Sequence, residues 1–99
     1  MKEIFEQAKV GGIPAKNRIV RSATQEGLAV EGGRIGTELI SIYQALAKGG
    51  AGIVITSMVG VDENARVFPR MVKAYDDGFS SGLAKIVYAA HSNDCKVVV

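Results

Sequence analysis

The spacing of apolar residues along the chain predicts two helices. Residues 37 to 48 and 77 to 93 each place their apolar side chains on one helical face. The apolar positions are Leu39, Ile40, Ile42, Tyr43, Leu46 and Ala47 in the first segment and Phe79, Leu83, Ile86, Val87 and Ala90 in the second. Thr37 at the N-cap and Glu38 in the first turn suit the start of the first helix. Gly82 departs from the second pattern, at a cost of about 1 kcal/mol relative to Ala.

Runs of consecutive apolar residues predict strands that are buried on both faces. The segment Ile53 to Thr56 is such a strand, and residues 17 to 23 and 96 to 99 are predicted to form strands on either side of it. Gly49 and Gly50 suit the end of the preceding helix, and Gly52 allows a close approach of backbone.

A short β-hairpin is predicted ahead of these elements. Residues 8 to 10 and 13 to 15 flank the pair Gly11-Gly12. Pro14 has no N–H to donate to a ladder of hydrogen bonds. The hairpin is therefore expected to be separate from the main sheet, as a cap formed by residues 1 to 16.

The order strand, helix, strand, helix, strand over residues 17 to 99 predicts an α/β fold. Right-handed crossovers make residues 18 to 23, 53 to 57 and 96 to 99 parallel neighbours, with 53 to 57 in the centre. The connections that leave strands, residues 24 to 36 and 57 to 75, are long and show no sustained periodicity. Since parallel α/β folds place function at the carboxyl ends of their strands, the site is expected there.

Composition excludes several classes of protein. The net charge of +2 arises from scattered Lys and Arg, which gives no basic stripe for nucleic acid. No apolar run approaches the roughly 18 residues of a membrane span, and the N-terminus carries Glu where a signal peptide is apolar. We therefore expect a cytoplasmic protein with no nucleic-acid or membrane partner. Cys95, the single cysteine, is interpreted as a small core residue.

Two further patterns are interpreted as structural. Asp62, Glu63, Asp76 and Asp77 lie in a loop and at a helix start without His or Cys at ligand spacing, so no metal site is predicted. The glycines at positions 32, 33 and 36 do not follow the order of a dinucleotide-binding fingerprint.

The chain also resembles a known family. The segments KNRIVRSATQEGLA and LAKGGAGIVITSMVGV, followed by a pair of Asp residues before a helix that ends in AAH, are similar to the N-terminal part of the old yellow enzymes. These are NADH:flavin oxidoreductases, many of them ene-reductases. The resemblance implies a hairpin followed by the first three strands and two helices of a (β/α)₈ TIM barrel, left incomplete in these 99 residues.

The resemblance also implies a cofactor site. The positions that match the family's contacts with flavin mononucleotide (FMN) are Ser22, Ala23, Thr24 and Gln25 after the first strand and Met58 after the second. Gln25 stands where many members have Thr or Cys. His91 matches a helical His, and Tyr75 and Tyr88 do not match the family's proton-donating Tyr. The catalytic residues are therefore expected beyond Val99.

Two functions stay open at this point. The chain is either the N-terminal fragment of an oxidoreductase that passes hydride from NADH or NADPH through FMN to a small enone or other activated alkene, or a non-catalytic assembly module completed by other chains. Strands that are apolar on both faces, with two helices to cover only one, predict self-association. Alone, the chain is expected to be inactive. A continuation of Gln-Leu-x-His-x-Gly-Arg after Val99 would favour the first function.

Overall fold

Seven short strands and two helices are found in the computed structural model, which describes residues 2–99. The strands are β1 (Ala8–Val10), β2 (Ile13–Ala15), β3 (Val20–Arg21), β4 (Ile53–Ile55), β5 (Val59–Gly60), β6 (Val72–Lys73) and β7 (Lys96–Val98), and the helices are α1 (Thr37–Lys48) and α2 (Ser80–His91). Short 3₁₀ turns cover Lys2–Phe5, Glu31–Gly33 and Asp77–Phe79. Met1, the first residue of the predicted cap, lies outside the described residues.

A parallel sheet with the strand order β3-β4-β7 forms the centre of the fold. Val20 pairs with Ile53, and Val54 pairs with Val97. The predicted parallel arrangement with β4 in the centre is confirmed, although the strands are shorter than the predicted segments. At its start, β3 is preceded by Ile19, whose carbonyl accepts from both Gly52 N–H and Ile53 N–H.

The two helices cover one face of this sheet and enclose the core. Its buried residues are Leu39, Tyr43 and Ala47 of α1, Ile86 and Ala90 of α2, and Ala51, Val54 and Cys95 near the strands. Both predicted apolar faces are therefore confirmed, as is the core position of Tyr43, Phe79 and Cys95. Burial raises the pKa of the Cys95 thiol, as expected for a cysteine that acts as a packing residue. The glycine at position 82 is explained by packing, because a Cβ there would lie 2.9 Å from Ile35 Cβ.

Both helix starts differ from the prediction. The N-cap of α1 is Gly36, and Thr37 is its first helical residue. A side chain at position 36 would meet Val30, since a Cβ there would lie 2.7 Å from Val30 Cγ1. The second helix is shorter than residues 77 to 93, because a 3₁₀ turn precedes it and Asp76 caps that turn by accepting from Gly78 N–H at 2.8 Å.

The segment from residue 57 to residue 75 is more regular than predicted. It contains β5 and β6, which pair in parallel through Val59 with Val72 and Gly60 with Lys73. Ala74 N–H extends the pairing by donating to Gly60 O at 2.7 Å. Strands of two residues are too short to produce a detectable alternation, which is why the sequence pattern missed them.

The predicted hairpin is confirmed, with β1 antiparallel to β2 and Val10 opposite Ile13. The segment that follows it is tied to the amino-terminal edge of the parallel sheet. Lys16 Nζ donates to Asn93 O at 2.6 Å, and Asn17 Nδ2 donates to Gly50 O at 2.7 Å. Gly52 is needed at this junction, because a Cβ there would lie 3.0 Å from Asn17 O. The hairpin therefore lies at the amino ends of the parallel strands, and the loops that leave the strands lie at the carboxyl ends.

Candidate functional site

The predicted cofactor residues lie at the carboxyl ends of β3 and β4, which are at the same end of the sheet. Ser22, Ala23, Thr24 and Gln25 follow β3 directly, and all four are exposed. Met58 lies three residues after β4 and is 52% exposed. Because β3 and β4 are parallel and adjacent, both segments leave the sheet in the same direction. We call these five residues the rim.

The local conformation of the rim leaves its functional groups accessible. Thr24 Oγ1 donates to Ser22 O at 3.0 Å, a local bond within the rim itself. Within residues 2–99, no side chain or backbone group hydrogen-bonds to the Gln25 amide. The rim thus offers a free amide, a hydroxyl able to accept, and the apolar surfaces of Ala23 and Met58.

Directly behind the rim lies a cluster of three polar side chains, Arg21, Glu26 and Tyr43. Glu26 Oε2 accepts from Arg21 Nη1 at 2.7 Å and from Tyr43 Oη at 3.1 Å. The side chains of Arg21 and Glu26 are only 19% and 6% exposed. The Arg21 guanidinium also lies over the Tyr43 ring, 5.7 Å from its centroid. The two ends of the segment Ser22–Gln25 are therefore anchored to each other and to α1.

The Tyr43 hydroxyl is held in its neutral form. Burial and the negative charge of Glu26 raise the pKa of Tyr43, while a hydrogen bond from the Ser57 backbone acts in the opposite direction. Its hydrogen bond to Glu26 ties α1 to the segment that follows β3.

A pH dependence of stability follows from the raised pKa of Tyr43. Because the folded state favours the neutral phenol, its stabilisation is complete below the ordinary tyrosine pKa of about 10 and is lost as the pH rises above it. We expect urea unfolding to show a loss of stability above about pH 10 that is smaller in Tyr43→Phe. Tyr88→Phe is the matched control, since Tyr88 is largely exposed. Equal alkaline losses in the two variants would contradict this role for Tyr43.

The sequence did not reveal the cluster. Arg21 was interpreted only as part of the first strand and Tyr43 only as part of an apolar helical face, and Glu26 lay in the long connection of residues 24 to 36. An Arg and a Glu five positions apart are too common a pattern to indicate a pair. Only the path of the chain after β3, which places Glu26 against Arg21, makes the cluster visible.

The other candidate residues have structural positions. Asp62 accepts from Asn64 N–H at 2.8 Å in a local turn, and His91 is exposed at the last position of α2. Among residues 2–99, no group of three or more His, Cys, Asp or Glu side chains could hold a metal ion. Within that same range, neither helix is long and apolar enough to cross a membrane.

Comparison with known proteins identifies relatives over nearly the whole chain. Residues 3–99 match the model of the NADH:flavin oxidoreductase / NADH oxidase family. The NADH oxidase of Thermoanaerobacter brockii is 30% identical over 95 residues, which is 95% of this chain and 15% of that protein. The 4,4'-dithiodibutanoate disulfide reductase of Rhodococcus erythropolis is 33% identical over 89 residues, 90% of this chain and 22% of that protein. The chain thus spans less than a quarter of either relative.

A solved structure shares the fold. The Old Yellow Enzyme from Pichia sp. AKU4542 superimposes with a TM-score of 0.86 at 23% identity, over 96% of this chain and 25% of that one. At that identity the likeness concerns the fold alone. It shows that β3, α1, β4, α2 and β7 follow the same path through space as the corresponding part of that enzyme.

Proposed function

This chain belongs to the NADH:flavin oxidoreductase / NADH oxidase family, and on that premise we propose that it forms the N-terminal part of an oxidoreductase that uses FMN with NADH or NADPH. The three parallel strands would be the first three of a (β/α)₈ barrel, with residues 1 to 16 as a hairpin cap and residues 17 to 99 as the β-α-β-α-β part. The likeness in fold to an old yellow enzyme supports this arrangement.

One observation carries the proposal: the rim is exposed, while the residues on both sides of its first segment have mostly buried side chains that bond to each other. Arg21 and Glu26 are fixed to each other at 2.7 Å, and the four residues between them face outward. Exposed groups on a fixed frame at the carboxyl edge of a parallel sheet are typical of a ligand site. The rim is therefore preorganised for a ligand that this chain contacts from one side.

The residues of the rim suit a flavin ring. Ala23 and Met58 offer apolar and polarisable surface of the kind that packs against a flat aromatic face. Gln25 can both donate to and accept from the polar edge of such a ring, and the Thr24 hydroxyl can accept a hydrogen bond. When bound, FMN would supply the chemistry, taking hydride from reduced nicotinamide and delivering it to the β-carbon of an activated alkene. The part of these residues is to hold and orient the ring.

Substituting Thr24 tests this proposal in the full-length protein. Thr24→Trp should weaken FMN retention by at least about tenfold, because an indole at the rim would displace a ring packed there. Ser41→Trp is the matched control, since Ser41 is exposed on α1 away from the rim. Retention is measured as the flavin dissociation constant by fluorescence titration. An unchanged constant in Thr24→Trp would place the flavin elsewhere.

A further inference from the structure

A cavity lies between the loop that follows β3 and the segment that carries β6. Its volume is about 480 Å³. Its lining residues are Ala29, Val30, Glu31, Gly32, Gly33, Arg66, Phe68, Arg70, Met71 and Lys73. Three of these are cationic and one is anionic, and no residue of the rim lines the cavity. The cavity is thus positively charged and distinct from the rim.

Arg70 is held in the cavity wall by its own backbone and side chain. Its φ is +57°, in the left-handed region that residues with a side chain seldom adopt. Ala29 N–H donates to Arg70 O at 3.0 Å, and Arg70 Nε donates to Ala29 O at 3.0 Å. The Nε bond fixes the guanidinium plane while its two terminal nitrogens bond to no group within residues 2–99. Strained backbone that supports a fixed, unused donor pair is a feature of ligand sites.

Lys73 contributes the second fixed cation. Its aliphatic chain packs against Gly33, where a Cβ would lie 2.7 Å from Lys73 Cγ, and Nζ donates to Glu63 O at 2.5 Å. An ammonium group has three donors, so Lys73 keeps two for a ligand. The cavity also has an apolar part, because Phe68 and Met71 are buried side chains that reach its wall.

We propose that this cavity binds a phosphate monoester whose organic part packs against Phe68 and Met71. Arg66, Arg70 and Lys73 against Glu31 leave a net charge of +2 on the lining, which a phosphate dianion neutralises and a carboxylate does not. Two terminal guanidinium nitrogens in a fixed plane match two phosphate oxygens. This site involves neither the rim nor the flavin, and only its assignment to NADPH would rest on the proposed function.

The phosphate could belong to a substrate or to the 2′-phosphate of NADPH, and both present the same group. The test uses phenyl phosphate as the probe, titrated into the full-length protein by calorimetry, with phenol and benzoate as neutral and monoanionic comparisons. Displacement of phenyl phosphate by NADP⁺ and not by NAD⁺ would assign the site to the nucleotide. Displacement by neither would exclude the nucleotide and leave a phosphorylated substrate as the source.

Arg70→Asn is the decisive variant. Asn tolerates a positive φ better than most residues, so the loop is retained while the guanidinium is lost. Arg18→Asn removes the same charge from an exposed position outside the cavity and is the matched control. We expect phenyl phosphate to bind with a dissociation constant below about 1 mM, and at least about tenfold more weakly in Arg70→Asn. The control should stay within about twofold of the unmodified protein.

Lys73→Gln provides a second, independent test and should weaken binding in the same direction. Flavin absorbance should be unchanged in both cavity variants, which separates this site from the rim. The proposal is overturned if the unmodified protein shows no heat with about 10 mM phenyl phosphate, if Arg70→Asn and Arg18→Asn bind it equally, or if flavin content falls together with phosphate binding.

Discussion

Replacing Glu26 with Ala is expected to lower the free energy of unfolding by about 2–4 kcal/mol. The substitution leaves the Arg21 guanidinium, 19% exposed, without its carboxylate partner, and it leaves the Tyr43 hydroxyl without its acceptor at 3.1 Å. Removing one partner of a buried pair costs about 3–5 kcal/mol, and the partial exposure of Arg21 reduces that figure. Urea unfolding of the variant and the unmodified protein measures the difference.

Two further variants test whether the loss of stability depends on the charge of Glu26 and on its place in the cluster. Glu26→Gln keeps a carbonyl that can accept from both partners, so it should lose less stability than Glu26→Ala. Glu63→Ala removes an exposed carboxylate from a loop and should change stability by no more than about 0.5 kcal/mol. A loss in Glu26→Ala no larger than that in Glu63→Ala would show that the cluster does not stabilise the fold.

The 99-residue chain by itself is expected to bind FMN more weakly than about 10 µM and to reduce no alkene. It supplies one side of the proposed site, because the five rim residues come from only two neighbouring strand ends. Cofactor sites normally enclose most of their ligand, and catalysis needs donors preorganised around the developing charge. A ring contacted from one side keeps most of its surface in water.

The chain alone is also expected to associate. Within residues 2–99, β3 and β7 each pair only with β4, so both sheet edges have free backbone groups. The face away from the helices carries Val20, which is 45% exposed, with Ile55 and Val98 partly exposed beside it. These features are also what an assembly module completed by other chains would need.

Fluorescence titration of FMN, together with light scattering for mass, tests both expectations on the purified chain. A monomer that binds FMN more tightly than about 10 µM would contradict them. It would show that three strands form a self-sufficient flavin domain.

The order of the parallel strands could be predicted from the sequence because each crossover has a long amphipathic helix. Val54 and its neighbours in β4 are apolar at every position, and α1 repeats its apolar residues over three turns. Handedness then leaves one arrangement of neighbours. The direction of the parallel strands also predicts which end of the sheet carries the rim.

Contacts between distant short segments could not be predicted. Strands β5 and β6 have two residues each, and the bonds between Ala29 and Arg70 join residues 41 positions apart. The N-cap of α1 was predicted to be Thr37, but it is Gly36. Gly36 packs closely against Val30, and this contact depends on the path of the loop between them, which the sequence pattern does not reveal. Such features arise from the tertiary fold and leave no periodic pattern in the sequence.

The most direct test of the proposed flavin site at the rim is a crystal structure of the full-length protein with FMN bound. We expect the side chains of Thr24, Gln25 and Met58 to lie within about 4 Å of the flavin ring, at the carboxyl ends of β3 and β4. A flavin bound at the hairpin edge of the sheet, or with no contact to residues 22–25, would contradict it.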